Sequence, residues 1–167
     1  MLLAKLLNIE YFRWMENLII RDATSSDLPV LLVFEQELIK AERPFDVTIK
    51  EDPVSYIDIG AYIKNKDTKV VVAEYKGKII SSGYALKKEA RHYLNHKYYG
   101  YLGFMYTVEE FRGMGINKRI VDVLKNWCLA IGLKEIRLTV YHKNQPALNA
   151  YAKTGFKPHI VEMRLET

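Results

Sequence analysis

A glycine-containing turn separates a predicted strand from a predicted helix and has the sequence Arg112-Gly113-Met114-Gly115-Ile116-Asn117. Glycines at such a junction allow successive backbone N–H groups to point toward one position. The positive end of the helix dipole favours an anion at the same position, so a pyrophosphate is the natural ligand of this geometry. Lys118 and Arg119 follow directly and add full positive charges. The segment therefore predicts a phosphate-binding turn.

The better-known phosphate motifs do not fit this turn. It lacks the G-x-x-x-x-G-K-[ST] pattern of a P-loop, and Lys118 stands where the Rossmann fingerprint has its third glycine. By themselves, two glycines at a helix start are equally compatible with a turn that binds nothing. A second motif is needed to choose between these interpretations.

The second motif runs from Asn144 to Phe156. Asn144 suits a helix N-cap, Pro146 suits the first helical turn, and Gly155 suits the left-handed position after the last turn. One face of this helix consists mostly of small residues, which let a ligand approach closely. That face contains Ala147, Ala150, Tyr151 and Thr154.

Together the two segments resemble the GNAT superfamily of acyl-CoA-dependent N-acyltransferases. Arg112 and Gly115 match the family's first motif, [Q/R]-x-x-G-x-[G/A]. The downstream family pattern is roughly N-x-x-A-x-x-x-Y-x-K-x-G-F, and it is matched by Asn144, Ala147, Tyr151, Lys153, Gly155 and Phe156. The opening residues 19–24 and the order of the elements also match, so the resemblance extends from about Leu18 to the C-terminus.

The resemblance implies an N-acetyltransferase that moves an acetyl group from acetyl-CoA to a primary amine of a small molecule or protein by direct attack. The pantetheine arm would lie between two splayed strands, and the turn would hold the pyrophosphate. The implied cofactor-binding residues are Met105, Tyr106, Thr107, Arg112, Gly113, Met114, Gly115, Ile116, Asn117 and Asn144. Tyr151 is implied as the catalytic acid that protonates the leaving thiolate.

The general base is not visible in the sequence. Some family members carry a glutamate on the strand before the asparagine, but this chain has Thr139 there. The candidates are Glu42, His96, Tyr101 and Glu109, or a water relay. We expect the acceptor pocket around residues 42–46, whose Glu42 and Asp46 suit a cationic amine, and in the loop Arg91–Tyr99. No metal site is expected, because His92 and His96 lack further ligands nearby.

Two other functions stay open at this point. An acyl-CoA-binding module without catalysis would explain the missing glutamate at Thr139. A nucleic-acid-binding domain would use the basic and aromatic loop Arg91–Tyr99 for stacking, but it leaves the Asn144–Phe156 pattern unexplained.

Strands and helices are predicted to mix without strict alternation, which indicates one mixed α/β (α+β) domain. The resemblance implies a central, mostly antiparallel, twisted sheet with splayed central strands and about four flanking helices. Strands are predicted over Leu18–Ile20, Val70–Tyr75, Ile79–Leu86, Tyr101–Thr107, Ile136–Tyr141 and Val161–Leu165, and helices from Leu28 to near Arg43 and over Thr48–Asn65, Gly113–Ile131 and Asn144–Gly155.

Composition limits the class of protein. The chain has 167 residues, a net charge of +5 and one cysteine, Cys128, which we expect in the core. A single cysteine fits a reducing compartment, so we expect a cytoplasmic protein. No apolar run approaches the ~20 residues that span a bilayer, so no membrane association is expected. Residues 1–16 are predicted to be an N-terminal extension, and residues 17–167 are predicted to form the domain. Met15 is a possible alternative start. A homodimer is compatible with the resemblance.

Overall fold

The computed structural model describes residue 14 and residues 17–165. These residues form five β-strands and four α-helices, with single turns of 3-10 helix at Ser25–Asp27 and Glu109–Phe111. In chain order the elements are β1 (Leu18–Asp22), α1 (Leu28–Glu42), α2 (Ile59–Lys64), β2 (Thr68–Tyr75), β3 (Lys78–Glu89), β4 (Tyr98–Thr107), α3 (Ile116–Ala130), β5 (Ile136–Leu138) and α4 (Gln145–Lys153).

The strands form one sheet in the order β1-β2-β3-β4-β5. All neighbours are antiparallel except β4 and β5, which are parallel. β4 and β5 pair only from Gly100–Leu102 to Ile136–Leu138, although β4 continues to Thr107. The two strands therefore part after Leu102 and leave a gap. The predicted fold class, a mixed α/β domain with a mostly antiparallel sheet and splayed central strands, is confirmed.

The sheet is covered on both faces. Side chains of a strand alternate between the two faces of a sheet. In β2, Val71 and Ala73 therefore belong to the hydrophobic cluster that includes residues of α3. Val70 and Val72 belong to the cluster on the other face, which includes residues of α1 and α2. All four are buried, which explains why β2 is apolar and β-branched rather than alternating.

Close packing of α3 against β4 depends on glycine. A Cβ built on Gly100 would lie 2.5 Å from the Sγ atom of Cys128, so no larger residue fits there. Cys128 is fully buried, as predicted, and burial raises the pKa of its thiol to about 11. The thiol therefore stays protonated and unreactive at neutral pH.

The start of α1 is fixed to β1 by a buried carboxylate. Asp27 accepts hydrogen bonds from Nη1 and Nη2 of Arg21 at 2.8 and 2.9 Å and from the backbone N–H of Thr24 at 2.7 Å. The Arg21 guanidinium holds the pKa of Asp27 well below its usual range. This pairing sets the direction of α1, whose far end carries Glu42.

The predicted helix over Thr48–Asn65 is mostly wrong, because only Ile59–Lys64 is helical. The buried carboxylate of Glu35 on α1 accepts the backbone N–H groups of Tyr56 and Ile57 at 3.0 and 2.9 Å. Those groups are then unavailable for helical hydrogen bonds, and the segment is held extended along α1. Asp58 caps the helix that follows by accepting the N–H of Ala61 at 2.9 Å.

The predicted last strand, Val161–Leu165, is also wrong, and β5 ends at Leu138 rather than Tyr141. Residues 157–165 form no strand, and their apolar side chains stay exposed, for example Met163 at 87%. A strand needs a partner edge for its backbone groups. The segment is instead held through a side chain, since Arg164 pairs with Asp46 at 2.9 and 3.0 Å.

The predicted extension 1–16 lies outside the described residues except for Trp14. Trp14 is 8% exposed and packs against Tyr75 and Phe111. Among residues 14 and 17–165, no helix has the length and apolar character needed to cross a bilayer.

Candidate active site

The predicted phosphate-binding turn joins the 3-10 turn after β4 to α3. Gly113 and Gly115 have φ values of 77° and 81°, a region that favours glycine, and Gly115 is the N-cap of α3. No side chain of the described residues caps this helix, and its first turn contains no acidic residue. Its first N–H groups are therefore open to an anion. Ile116 is buried and Asn117 half-buried, so Ile116 offers only its backbone N–H.

The basic side chains around the turn are partly engaged. Arg112 donates from Nε to the carbonyl oxygen of Thr107 at 3.0 Å, which ties the turn to the end of β4. Lys118 pairs with Asp122 at 2.6 Å, and Arg119 donates to the carbonyl of Leu18 at 3.2 Å. Arg112 is thus the basic residue that positions the turn relative to the gap.

A bulge reshapes β4 just past the point where it leaves β5. Phe104 has a φ of 57°, which strains a bulky residue, and the β3–β4 register shifts between Ser82 and Tyr84. Buried serines hold this shape, because Ser82 Oγ donates to the carbonyl of Phe104 and Ser81 Oγ to that of Tyr106. The predicted residues Met105, Tyr106 and Thr107 follow the bulge along the gap. The left-handed conformation of Phe104 was not predicted from the sequence.

The second motif forms α4, the helix that follows β5 in the chain. Asn144 caps this helix, since its Oδ1 accepts the backbone N–H of Ala147 at 3.2 Å. The Tyr151 ring packs edge-on against Phe156 with centroids 6.0 Å apart. Burial, together with nearby Glu42 and Tyr101, raises the pKa of Tyr151 to about 12. Its phenol therefore stays protonated and able to donate at neutral pH.

A hydrogen bond crosses the sheet where β4 and β5 part. The hydroxyl of Tyr101 on β4 bonds to Oγ1 of Thr139, just after β5, at 3.0 Å. Thr139 carries no ionisable group, and this bond engages the Tyr101 hydroxyl.

Comparison with known proteins identifies the family. The acetyltransferase (GNAT) family model matches residues 34–156, which is most of the chain. The chain belongs to the acetyltransferase (GNAT) family. No curated protein matches.

Solved GNAT-fold structures agree in fold. A predicted acetyltransferase from Clostridium acetobutylicum, solved with acetyl-CoA, is 22% identical with a TM-score of 0.69, over 89% of this chain and 96% of that one. An aminoglycoside acetyltransferase from an uncultured soil metagenomic sample is 18% identical with a TM-score of 0.67, over 91% and 97%. Glucosamine-6-phosphate N-acetyltransferase from Arabidopsis thaliana is 20% identical with a TM-score of 0.63, over 89% and 97%.

The base candidates of this GNAT protein lie in different places. His96 approaches Glu135 at 3.2 Å beside the start of β5, at the paired end of β4 and β5. Glu109 is exposed in the 3-10 turn before the glycine turn. Glu42 ends α1, where burial raises the pKa of its carboxyl and where it lies close enough to Tyr151 to raise that residue's pKa. Glu42 is therefore the carboxylate of the four candidates that the fold brings toward Tyr151.

The two predicted parts of the acceptor pocket also separate. Phe45 stacks on Tyr141 with centroids 6.0 Å apart, so residues 42–46 contact the segment after β5. Residues 91–97 instead connect β3 to β4, and Tyr98 and Tyr99 belong to β4, at the end remote from the glycine turn. Within residues 14 and 17–165, no three His, Cys, Asp or Glu side chains are grouped as metal ligands would be.

Glu35 fixes the extended segment before α2 and was missed from the sequence, where it looked like one more helical residue. It is 1% exposed and binds Ser55 Oγ as well as the Tyr56 and Ile57 N–H groups. A buried carboxylate that organises a loop can be recognised only once its contacts are known.

Replacing Glu35 with alanine should lower the free energy of unfolding by about 2–4 kcal/mol, because one buried and one partly buried N–H group lose their acceptor. Urea denaturation measures this loss. Glu37→Ala, an exposed neighbour on α1, is the control and should change stability by less than about 0.5 kcal/mol. Equal effects of the two substitutions would contradict the role of Glu35.

Proposed function

We propose that this protein is an acetyl-CoA-dependent N-acetyltransferase that acylates a primary amine. The observation that carries the proposal is the uncapped glycine turn that follows β4, the strand that parts from β5 after Leu102. Similar solved proteins support it: one was crystallised with acetyl-CoA, and another is named as an N-acetyltransferase of an amino sugar.

The residues around the gap fit acetyl-CoA. The N–H groups of residues 113–117 would hold the pyrophosphate, and backbone groups of Met105–Thr107 would pair with the pantetheine arm. The Asn144 side-chain oxygen is used by the helix cap, so its amide N–H groups are the ones left for pantetheine. Bound there, acetyl-CoA supplies an activated acyl group as a thioester.

The chain's own groups would then manage charge and protons. A backbone N–H near Met105–Thr107 would stabilise the oxyanion that forms when the amine attacks. The Tyr151 hydroxyl would donate a proton to the departing sulfur. Its raised pKa keeps the hydroxyl protonated at neutral pH, so the proton is available. The amine must lose a proton before or during attack, since a free lysine-type amine has a pKa of about 10.4.

Calorimetric titration tests the co-substrate first. We expect acetyl-CoA and CoA to bind with micromolar dissociation constants and ATP to bind at least about tenfold more weakly. Release of free CoA thiol on addition of primary amines then tests catalysis. Failure of acetyl-CoA to bind would overturn the proposal.

A second candidate is an acyl-CoA-binding module without turnover, which Thr139 favours because it cannot act as a base. Measurable acetylation of any amine rejects it. The cytoplasmic location, the homodimer and the absence of nucleic-acid binding stay predictions.

A further inference from the structure

A cavity lies at the end of the sheet remote from the glycine turn. Its volume is about 310 Å³, and its walls come from the end of β3, the start of β4 with the loop before it, and the chain between α3 and β5. α3 has 15 residues, so at 1.5 Å per residue its two ends are about 22 Å apart. The glycine turn precedes this helix and the cavity follows it, so the cavity is separate from the predicted pyrophosphate position.

The polar side chains that line this cavity are mostly basic. Lys87, Lys97, Lys134 and His96 line it, and no carboxylate of the described residues does. Lys87 has one ion pair, a long one with Asp67 at 3.5 Å. Within residues 14 and 17–165, no carboxylate lies within ion-pair distance of Lys97 or Lys134. Two lysines of the cavity are therefore available to an anion.

Two of these lysines share one aromatic ring. The Nζ atoms of Lys87 and Lys97 lie 4.5 and 5.4 Å from the ring centroid of Tyr98. The two ammonium groups are therefore no more than about 10 Å apart, close to the distance over which physiological salt screens charge. Like charges held this close repel each other, and an anion bound between them would relieve the repulsion.

The carboxylates that border the cavity do not cancel its charge. Glu135 is engaged by Arg137 at 2.5 Å and by His96 at 3.2 Å. Glu89 lies opposite Tyr98 in the β3–β4 pairing, is exposed and has no ion-pair partner among the described residues. The C-terminal end of α3 adds only a partial negative charge, because the N–H groups of residues 131–133 already bond its last carbonyls at 2.9–3.2 Å.

An apolar wall completes the cavity. It includes the ring of Tyr98 and the side chain of Ile131, which is 42% exposed although it is large and apolar. Ligand pockets of this kind combine apolar surface with a few polar groups that fix the ligand's orientation. The expected ligand therefore carries an anionic group at one end and an apolar group at the other.

We propose that this cavity binds a phosphomonoester of a small aromatic or apolar group, at a site distinct from that of acetyl-CoA. Lysine binds phosphate as a point charge, and a phosphomonoester carries about −1.5 to −2 charges near neutral pH, which matches the two lysines without carboxylates. A monocarboxylate would neutralise only one of them. A nucleic acid would extend past the rim, where Asp67, Glu89 and Glu135 would repel its backbone.

Calorimetric titration of the full chain with phenyl phosphate at pH 8, where this probe is a dianion, tests the proposal. We expect a dissociation constant below about 1 mM, unchanged by saturating acetyl-CoA. Inorganic phosphate, phenylacetate, glutarate and a single-stranded oligonucleotide should each bind at least about tenfold more weakly. Inorganic phosphate lacks the apolar group, and phenylacetate lacks the second charge.

Lysine variants test the position of the site. Lys97→Gln with Lys134→Gln should weaken phenyl phosphate binding at least about tenfold, whereas Lys97→Arg with Lys134→Arg should stay within about threefold because the charges remain. Lys50→Gln with Lys125→Gln removes the same charge from exposed positions elsewhere and is the control. It should bind phenyl phosphate as the unmodified protein does.

Each contrary result overturns a stated part of the proposal. Absence of phenyl phosphate binding, or its displacement by acetyl-CoA, overturns the second site. Equal binding of inorganic phosphate or glutarate overturns the ligand class, and tighter binding of the oligonucleotide shows a nucleic-acid surface instead. Equal losses in the two glutamine double variants show a general effect of charge. The proposal does not depend on acetyl transfer, so phenyl phosphate binding stands or fails whether or not acetyl-CoA binds.

Discussion

Replacing Gly113 and Gly115 together with alanine should weaken acetyl-CoA binding by at least about 100-fold. Both residues have positive φ values, where a side chain costs about 1–2 kcal/mol each. Relaxation of that strain would turn their N–H groups away from the pyrophosphate, and charge-assisted hydrogen bonds contribute about 1.5–3 kcal/mol each. Calorimetric titration with acetyl-CoA and with CoA measures the loss, which should be equal for both ligands because both carry the pyrophosphate.

The chain offers a matched control for this experiment. Gly77 and Gly132 also have positive φ values, 74° and 81°, and like Gly113 they have open space where a Cβ would lie. Gly77→Ala with Gly132→Ala should therefore lower stability about as much as the first pair. Acetyl-CoA affinity should stay within about twofold of the unmodified protein. Equal loss of affinity in both double variants would show that backbone strain, and not the turn, is responsible.

The sequence predicted the parts of the site whose geometry is local. The glycine turn follows from Gly113 and Gly115, because few residues other than glycine adopt positive φ readily. The helix after Asn144 follows from its cap, and the structure places the cap bond as expected. These motifs are short, so their conformation is largely independent of distant residues.

The parts that depend on distant residues were not predictable. The strained Phe104 is held by serines on β3, more than twenty residues away in sequence. The segment around Tyr56 was predicted to be helical, but Glu35 holds it in an extended conformation. The apolar alternation of Val161–Leu165 is typical of a strand, but no neighbouring edge pairs with it in the described structure. Alternation shows that a strand is possible, whereas pairing decides whether one forms.

The four base candidates illustrate the same limit within the site. Residue type alone does not distinguish the four candidates for the general base, because each can accept a proton. They are Glu42, His96, Tyr101 and Glu109. Tertiary packing distinguishes them, because α1 carries Glu42 toward Tyr151 whereas His96 lies beside Glu135. The packing of the elements, and not residue type alone, therefore separates Glu42 from His96.

Tyr151→Phe should lower kcat by about 100- to 1000-fold, the usual contribution of a positioned general acid. The acid must be protonated to act, so activity would be lost only as pH rises through a pKa of about 12. In the unmodified protein Tyr151 should therefore impose no alkaline limit on kcat between pH 6 and 9, and the loss in Tyr151→Phe should be similar across that range. Rates of CoA thiol release at saturating acetyl-CoA measure both.

Three further measurements separate this chemical role from a packing role. Acetyl-CoA affinity and thermal stability should be nearly unchanged in Tyr151→Phe, because the ring and its contact with Phe156 remain. Tyr98→Phe, in which the ring beneath Lys87 is kept, is the control and should retain full activity. If kcat in Tyr151→Phe equals that of the unmodified protein from pH 6 to 9, Tyr151 only packs against Phe156. The departing sulfur would then leave as a thiolate without a proton from the protein.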